Sequence, residues 1–581
     1  MGMIRRPGRA GARLRLFILA AVFVALLGLL VRTAYLGVAA LSSPVGNGVS
    51  PAREIPSTDV NPYGANFFLS REVEAWKRER TVRMAAEGGI GWVKQQFPWA
   101  ELEPQRKGEY LQAASRASTW TKFDEIVSLC DAYGLRVVAR LDLPPAWTRQ
   151  DNSLQNAPPD DLQDYGDFVY EFVRHYRGRI GYIQIWNEPN IYPEWGNRAV
   201  DPAEYVEMLR IAYLRAKEAD PNVYVLSAPL AYTLGEPHPE PGKWRSMNDL
   251  TYLEGMYEAG AAEYFDILST NAFGMDRPPE DPPDPNVLNF QRVLLQREIM
   301  VRYGDADKAV WFNEYGWNAA PESFSPDDLP WKRVTEAEQA EYTVRGIDMA
   351  RREWPWAGVL MTWYFRQVGH IPDSSAEYFF RMVDPDFTPR PVYLAVQRAA
   401  DVPVPGPGVY QETHAAVKPQ GAWGNVIDGE AQGDAYIQSD VPGDSVTFTF
   451  QGTRLDLITR RHDTAGRLLV VVDGHTAPGL PTDERGRSYV DLYSPMPQAG
   501  AQVTLLRDAQ PGQHTVTITV SDDLHPSSRG RHCAVDALEV SQGVGEFPAM
   551  QTGILALALA GNGWLLWSTW RRVRWAVLDG P

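Results

Sequence analysis

Between residues 60 and 400, short apolar runs alternate with longer stretches whose apolar positions recur at helical spacing. The runs YGANF at 63, GWVKQQ at 91, LRVVARLD at 135, IGYIQIWN at 180, VYVLSAP at 223, YFDILSTN at 264, AVWFNE at 309 and GVLMTWYF at 358 predict eight strands, each followed by a helix. Some helix starts are written in the sequence. Asp201-Pro202 with Glu204 supplies a cap, a proline at the first helical position and an acid at the third, and Thr335 with Glu338 makes a capping box. Eight such units favour a closed (β/α)8 TIM barrel in the α/β class over an open sheet. Beyond residue 408 the period drops to two. VTFTF at 446, RLDLITR at 454, RLLVVVDG at 467, SYVDLYS at 488, QHTVTITV at 513 and CAVDALEV at 533 predict an all-β jelly-roll-like sandwich over 409–545.

Two apolar stretches stand outside this pattern. Residues 16–31 are uncharged, follow Arg5, Arg6, Arg9, Arg13 and Arg15, and precede Arg32; residues 547–570 end at Arg571, Arg572 and Arg574. They predict two flanking transmembrane helices, the first an anchor within 1–41 or a cleaved signal segment, the second over 547–570 with a cytoplasmic tail at 571–581. With both basic ends inside, the expected location is the cell membrane, with the bulk of the chain on the extracytoplasmic side. Pro-, Ser- and Gly-rich linkers at 42–59 and 401–408 separate the blocks, leaving 60–400 as the barrel.

A content of 44% hydrophobic and 22% charged residues fits folded domains and excludes a disordered chain or a disulfide framework. The net charge of −17 speaks against a nucleic-acid binder and for neutral or cationic partners. Cys130 and Cys533 fall in different blocks and suggest neither a zinc site nor a scaffold of disulfides.

In a barrel of this kind the reacting groups sit at the C-terminal strand ends. Glu188 ends the fourth run in IQIWNEPN and Glu314 the seventh in VWFNEYGW, each after an asparagine and close to tryptophan. Strands four and seven face each other across the mouth, so these carboxyls can flank one bond, the arrangement that glycosidic hydrolysis requires. HExxH, CxxC, GxSxG and phosphate-cradling glycine motifs are absent from the sequence, which leaves no metal or cofactor expected. Trp99, Trp147, Trp195 and Trp317 follow strands two, three, four and seven; each either stacks on a sugar face or packs in the core.

With these residues in view, 60–400 resembles the clan A glycoside hydrolases, and family 39 in particular. Trp186-Asn187-Glu188-Pro189 matches the clan's acid/base motif and Asn313-Glu314 its nucleophile, supported by WAELEPQRKGEY at 99–110, LPPAW at 143–147, Trp363 and VDPDFTPRPVYLAVQ at 383–397. The resemblance implies Glu188 as general acid/base, Glu314 as nucleophile, Asn187 on the sugar 2-hydroxyl and Trp363 as the platform beneath the sugar. Two departures bear on the substrate-binding set. Lys94 stands where the clan usually carries arginine, and Asn271-Ala272-Phe273-Gly274 replaces a common His-Pro-Tyr-Gly pattern. The hydroxyl that would steady the nucleophile is thereby lost, with Tyr315 or Tyr364 as the candidates to replace it. Residues 409–545 resemble carbohydrate-binding jelly rolls through GRLLVVVDG at 466–474 and PGQHTVTITV at 511–520, and either bind polymer or serve as a spacer.

The expectation is thus a membrane-anchored retaining glycoside hydrolase that cleaves O-glycosidic bonds of an extracellular or envelope polysaccharide by double displacement. Two alternatives stand beside it: a non-catalytic polysaccharide-binding envelope protein on a hydrolase scaffold, and an exo-acting β-xylosidase-like enzyme.

Overall fold

The structure, a computed structural model, describes residues 9–41, 55–237, 243–369, 371–400, 404–414, 416–510, 512–541 and 547–578. Most of the expected first linker (42–54), the start of the second (401–403) and the end of the tail (579–581) lie outside the described residues.

Eight parallel strands close into a barrel: β1 (Tyr63–Phe67), β2 (Trp92–Pro98), β3 (Arg136–Asp142), β4 (Tyr182–Ile185), β5 (Tyr224–Leu226), β6 (Ile267–Phe273), β7 (Ala309–Gly316) and β8 (Ala357–Thr362). Each pairs with its neighbours in sequence, and β8 returns to β1. Every one of the eight predicted runs holds one strand. The written helix starts form as expected: Asp201 accepts from the Ala203 amide at 2.9 Å, and Thr335 and Glu338 exchange the two bonds of a capping box.

Side chains on one face of a strand recur every second residue, and this alternation stacks the barrel interior in layers. Trp92, Tyr182 and Trp311 form an aromatic floor, with Trp92 and Tyr182 packed 4.8 Å and 5.0 Å from the Trp311 ring. Two residues further along the same strands come Lys94, Gln184 and Asn313, all buried. The interior therefore turns from oily to polar on the way to the mouth.

The strand ladders described in the C-terminal block are antiparallel. One sheet runs Gly408–Gln411, Ala537–Ser541, Arg454–Arg461, Gln498–Leu506; a second is built on Ser445–Gly452, Gly512–Val520 and Arg467–Val472; a third joins Gly424–Ile427, Ala435–Ser439 and Cys533–Val535. Phe448, Phe450, Leu455, Leu457 and Ile518 fill the core between them. This block docks beneath the barrel, at the N-terminal strand ends. The Asn61 amide donates to Thr413 O at 3.2 Å, Arg136 Nη2 to Glu412 O at 3.3 Å, and the Ile427 amide to Asn222 Oδ1 at 3.3 Å. A Cβ on Gly181 would stand 2.1 Å from the side-chain Nδ2 of Asn425, so a larger residue there would have to displace that side chain.

The two terminal helices, Arg9–Leu41 and Phe547–Leu578, correct one expectation. Among the described residues no helix is long and apolar enough to cross a membrane. The uncharged run 16–31 between Arg15 and Arg32 rises about 24 Å, short of the ~30 Å of a hydrocarbon core. In the second helix Gly561, Asn562 and Gly563 interrupt the apolar stretch before Arg571 closes it. The flanking transmembrane helices, and the membrane as a partner, are withdrawn on this ground.

Candidate active site

Glu188 stands three residues beyond β4. There the chain turns through Trp186 at φ +69° and Glu188 at φ +43°, both in the left-handed region. For residues with a Cβ such backbone costs about 1–3 kcal/mol and persists only where the surroundings enforce it. The surroundings here are specific: Gln184 Nε2 donates to Trp186 O at 2.6 Å, the Glu188 amide to Pro229 O at 3.0 Å, and Trp186 Nε1 to Glu194 O at 3.2 Å.

Glu314 reaches the interior by a different device. The pairing of β6 with β7 runs Thr270 to Phe312 and then Asn271 to Glu314, skipping Asn313. This bulge breaks the alternation, so two sequence neighbours both serve the site. Asn313 Nδ2 donates to Gln184 Oε1 at 2.6 Å and Asn66 Nδ2 to Asn313 O at 3.0 Å, tying the ends of β1, β4 and β7 together. Glu314 Oε1 accepts from Lys94 Nζ at 3.3 Å, with both side chains buried.

The two carboxyls sit in opposite electrical settings. Burial, reinforced by the charges of Glu314 and Glu194, pushes the Glu188 carboxyl well above the usual range against the opposing Arg140 and Lys94. Asn271 Nδ2 donates to its Oε1 at 2.6 Å. Glu314 faces a cation at ion-pair distance. Burial lowers Lys94 to about 8, with Glu314 acting to raise it, so the ammonium persists at neutral pH.

Around this pair lie groups the sequence reading missed. Arg140 is ion-paired with Asp142, which also accepts from Gln96 Nε2 at 2.8 Å. Burial lifts Glu194 to about 7 against Arg140; burial and then the charge of Glu314 lift Glu377 to about 7, against a hydrogen bond from Trp363. Arg140 and Asp142 could have been found as polar residues alternating on the inward face of β3. Glu194 sits in a turn and Glu377 in a short 3-10 helix (Ala376–Phe380), where no strand or α-helical period marks them.

The predicted binding residues divide. Trp363, partly exposed beside Glu377 and edge-on to Phe68 at 5.9 Å, lies at the mouth. Asn187 is buried between Trp186 and Glu188 and its Oδ1 has no hydrogen-bond partner. Trp147 is half-buried, with Nε1 donating to Glu103 O at 2.9 Å. Trp99, Trp195 and Trp317 are corrected: all three are fully buried and belong to the core. Trp99 stacks on Phe168 at 5.1 Å, Trp195 Nε1 donates to Glu204 at 3.2 Å, and Trp317 Nε1 to Arg277 O at 2.7 Å. The two tyrosines offered as replacements for the missing hydroxyl also turn away, Tyr315 bonding Thr343 O and Tyr364 bonding Tyr378 O. Lys94 is the group that meets Glu314. In the C-terminal block Tyr436 and Tyr489 lie under Arg460 and Arg467, and Tyr493 stacks on His525 at 4.1 Å, so a face of each ring is already covered.

No protein family's sequence profile matches the chain, and no curated protein matches it. Among solved structures it is similar to a family 39 glycoside hydrolase from the gut symbiont Bacteroides cellulosilyticus WH2, at 17% identity over 80% of this chain and 81% of that one, with a TM-score of 0.44. A monomeric β-xylosidase from Caulobacter crescentus CB15 matches at 14% identity over 81% and 98%, TM-score 0.42, and the GH39 enzyme from Xanthomonas axonopodis pv. citri at 13% over 82% and 99%, TM-score 0.43. Likeness at this level assigns no role to any residue, and the chemistry rests on the side chains themselves.

Proposed function

We propose that the chain is a glycoside hydrolase whose barrel cleaves O-glycosidic bonds by double displacement. One observation carries this reading: two carboxyls stand at the C-terminal ends of β4 and β7 in different surroundings, Glu188 pushed well above the usual range by burial and Glu314 ion-paired with Lys94 at 3.3 Å. Glu188, kept protonated by burial and by the nearby Glu314, is suited to give its proton to the departing glycosidic oxygen. Glu314, paired with the Lys94 ammonium, is suited to attack the anomeric carbon as a carboxylate. The leaving sugar takes the proton of Glu188. The resulting Glu188 carboxylate then draws a proton from water as that water displaces Glu314, which restores both groups.

Asn187, whose buried carbonyl oxygen lacks a partner, fits a donor on the sugar, and Trp363 supplies a flat face beside it. Lys94 takes the part of the absent hydroxyl. The substrate class is a polysaccharide or oligosaccharide. Work on the extracytoplasmic side belongs to the same proposal, on the strength of the arginines ahead of the uncharged run 16–31; recovery of the chain only with cytoplasmic proteins on fractionation would remove that part.

The test is sugar release by the full chain from β-linked polysaccharides and aryl glycosides, run beside Glu314→Gln. Release by the parent with none by the variant is the expected result, with the anomeric configuration retained in the first product seen by proton NMR. Binding to a polymer with no release by either protein would replace the hydrolase with a non-catalytic scaffold.

A further inference from the structure

Gln184 is the third residue of β4, with its side chain turned into the barrel and fully buried. Barrel interiors are ordinarily filled by branched apolar side chains, and a buried amide is tolerated where its hydrogens and lone pairs are met. The groups that meet this amide therefore say what it does. Its Nε2 donates to Trp186 O at 2.6 Å, inside the left-handed turn that carries Glu188. Its Oε1 accepts from Asn313 Nδ2 at 2.6 Å, one residue before Glu314. Chemistry fixes this orientation, since the Trp186 carbonyl oxygen can only accept.

The sheet itself cannot join these two segments. β4 is hydrogen-bonded to β3 and β5, and β7 to β6 and β8. The spacing of the two strands that end in the carboxyls is thus left to side chains that cross the interior. Lys94 crosses it too, but its hydrogen bond goes to the Glu314 carboxylate, not to the turn after β4. Asn66 secures the far side: its Nδ2 donates to Asn313 O at 3.0 Å and lies 3.4 Å from both Met361 O and Thr362 O, which fixes the bulge to β1 and β8. Asn313 Oδ1 is buried with no hydrogen-bond partner, so the Asn313 side chain is held by its bond to Gln184. A line of polar contacts thereby runs from the turn of Glu188 through Gln184 and Asn313 to Asn66, below both carboxyls.

We propose that Gln184 is a positioning residue whose amide sets the span between Glu188 and Glu314. This rests on the hydrolase reading of that pair. Double displacement requires carboxyls about 5–5.5 Å apart, whereas a span of about 6.5–9.5 Å admits a water between them and changes the stereochemical course. A misplacement of about 1 Å costs about 10²-fold in rate. Gln184 hydrogen-bonds neither carboxyl and acts through Trp186 and Asn313.

Gln184→Met keeps the length of the side chain and removes both bonds. On the polysaccharide or aryl glycoside that the parent cleaves, its kcat is expected to fall about 10²-fold or more, with KM within about twofold of the parent's. In Gln184→Glu a protonated carboxyl reproduces both bonds, while its ionised form cannot donate to Trp186 O. This variant should keep the parent's rate at acid pH and lose it as the buried acid ionises, an alkaline limb that the parent lacks. Mere loosening of the core would lower Tm and leave the shape of the pH profile unchanged. Crystal structures of the parent and Gln184→Met supply a readout that needs no turnover: the carboxyl span should widen by about 1 Å or more. An unchanged span, a kcat of folded Gln184→Met within about threefold of the parent's, or a Gln184→Glu profile identical to the parent's overturns the proposal. Where Gln184→Met does not fold, the profile and crystal structure of Gln184→Glu decide. Release by the parent beside none by Glu314→Gln secures the hydrolase reading separately; a parent that releases nothing removes that reading and leaves the crystallographic span to judge Gln184.

Discussion

The mouth and the base of the barrel each hold a glutamate whose carboxyl burial drives far upward. At the mouth Glu188 meets a second carboxylate, an amide donor from β6 and cations from β2 and β3. At the base Glu412 has Arg136 for a neighbour, but the guanidinium binds its backbone carbonyl instead of its carboxylate. The difference teaches what a shifted carboxyl signifies. Desolvation is the largest cause in both places; at the mouth the raised carboxyl also has beside it a second carboxylate ion-paired with a lysine, Glu314 with Lys94.

The comparison can be broken most sharply at Glu314. Its replacement by Gln is expected to lower kcat about 10³-fold or more while leaving Tm within about 2 °C of the parent, since the pair with Lys94 rather than core packing is lost. A Tm collapse in place of a rate loss would make the mouth a structural feature like the base. Lys94→Met comes next, at about 10²-fold in kcat, the scale of losing one preorganised electrostatic contact. In the parent, activity should fall as pH rises past about 8, where the ammonium loses its proton, and the variant should lack that limb of the profile. A smaller effect attends Asn271→Ala. The amide hydrogen favours the ionised form of Glu188, so removing it moves the alkaline limb governed by that acid to higher pH. The smallest belongs to the base. Glu412 holds its proton to about 8 when folded against an ordinary 4.5, so the folded state binds a proton the unfolded state has released and stability declines as pH climbs through that window. Glu412→Gln should remove the decline and raise Tm by a few degrees at alkaline pH with no change near pH 4.

Much of this architecture is legible in the chain because burial writes it there. Each barrel strand is an apolar run, and each is bounded by a polar residue or a turn. Glu188 and Glu314 could be picked out because strand ends of a barrel are where polar groups converge. The bulge at Asn313 could not, since nothing in VWFNEYG announces that alternation fails there and sends two neighbours inward. Nor could the fate of the tryptophans: Trp99 and Trp363 each follow a strand, yet one is sealed beneath Phe168 and the other stands at the mouth. Packing partners distant in sequence decide such cases. Glu194 and Glu377 come from segments without a strand or α-helical period, and only the closed barrel brings them near Glu314.

The docking of the C-terminal block beneath the barrel bears on how a long glycan would be handled. A binding module raises the rate of cleavage by holding the next bond near the catalytic groups, an effect set by the span between the two sites. Here the span runs around the outside of the whole barrel. A strand of polymer held on the block gains little local concentration at Glu188 and Glu314, and such capture would favour staying on a surface over feeding one chain continuously through the mouth.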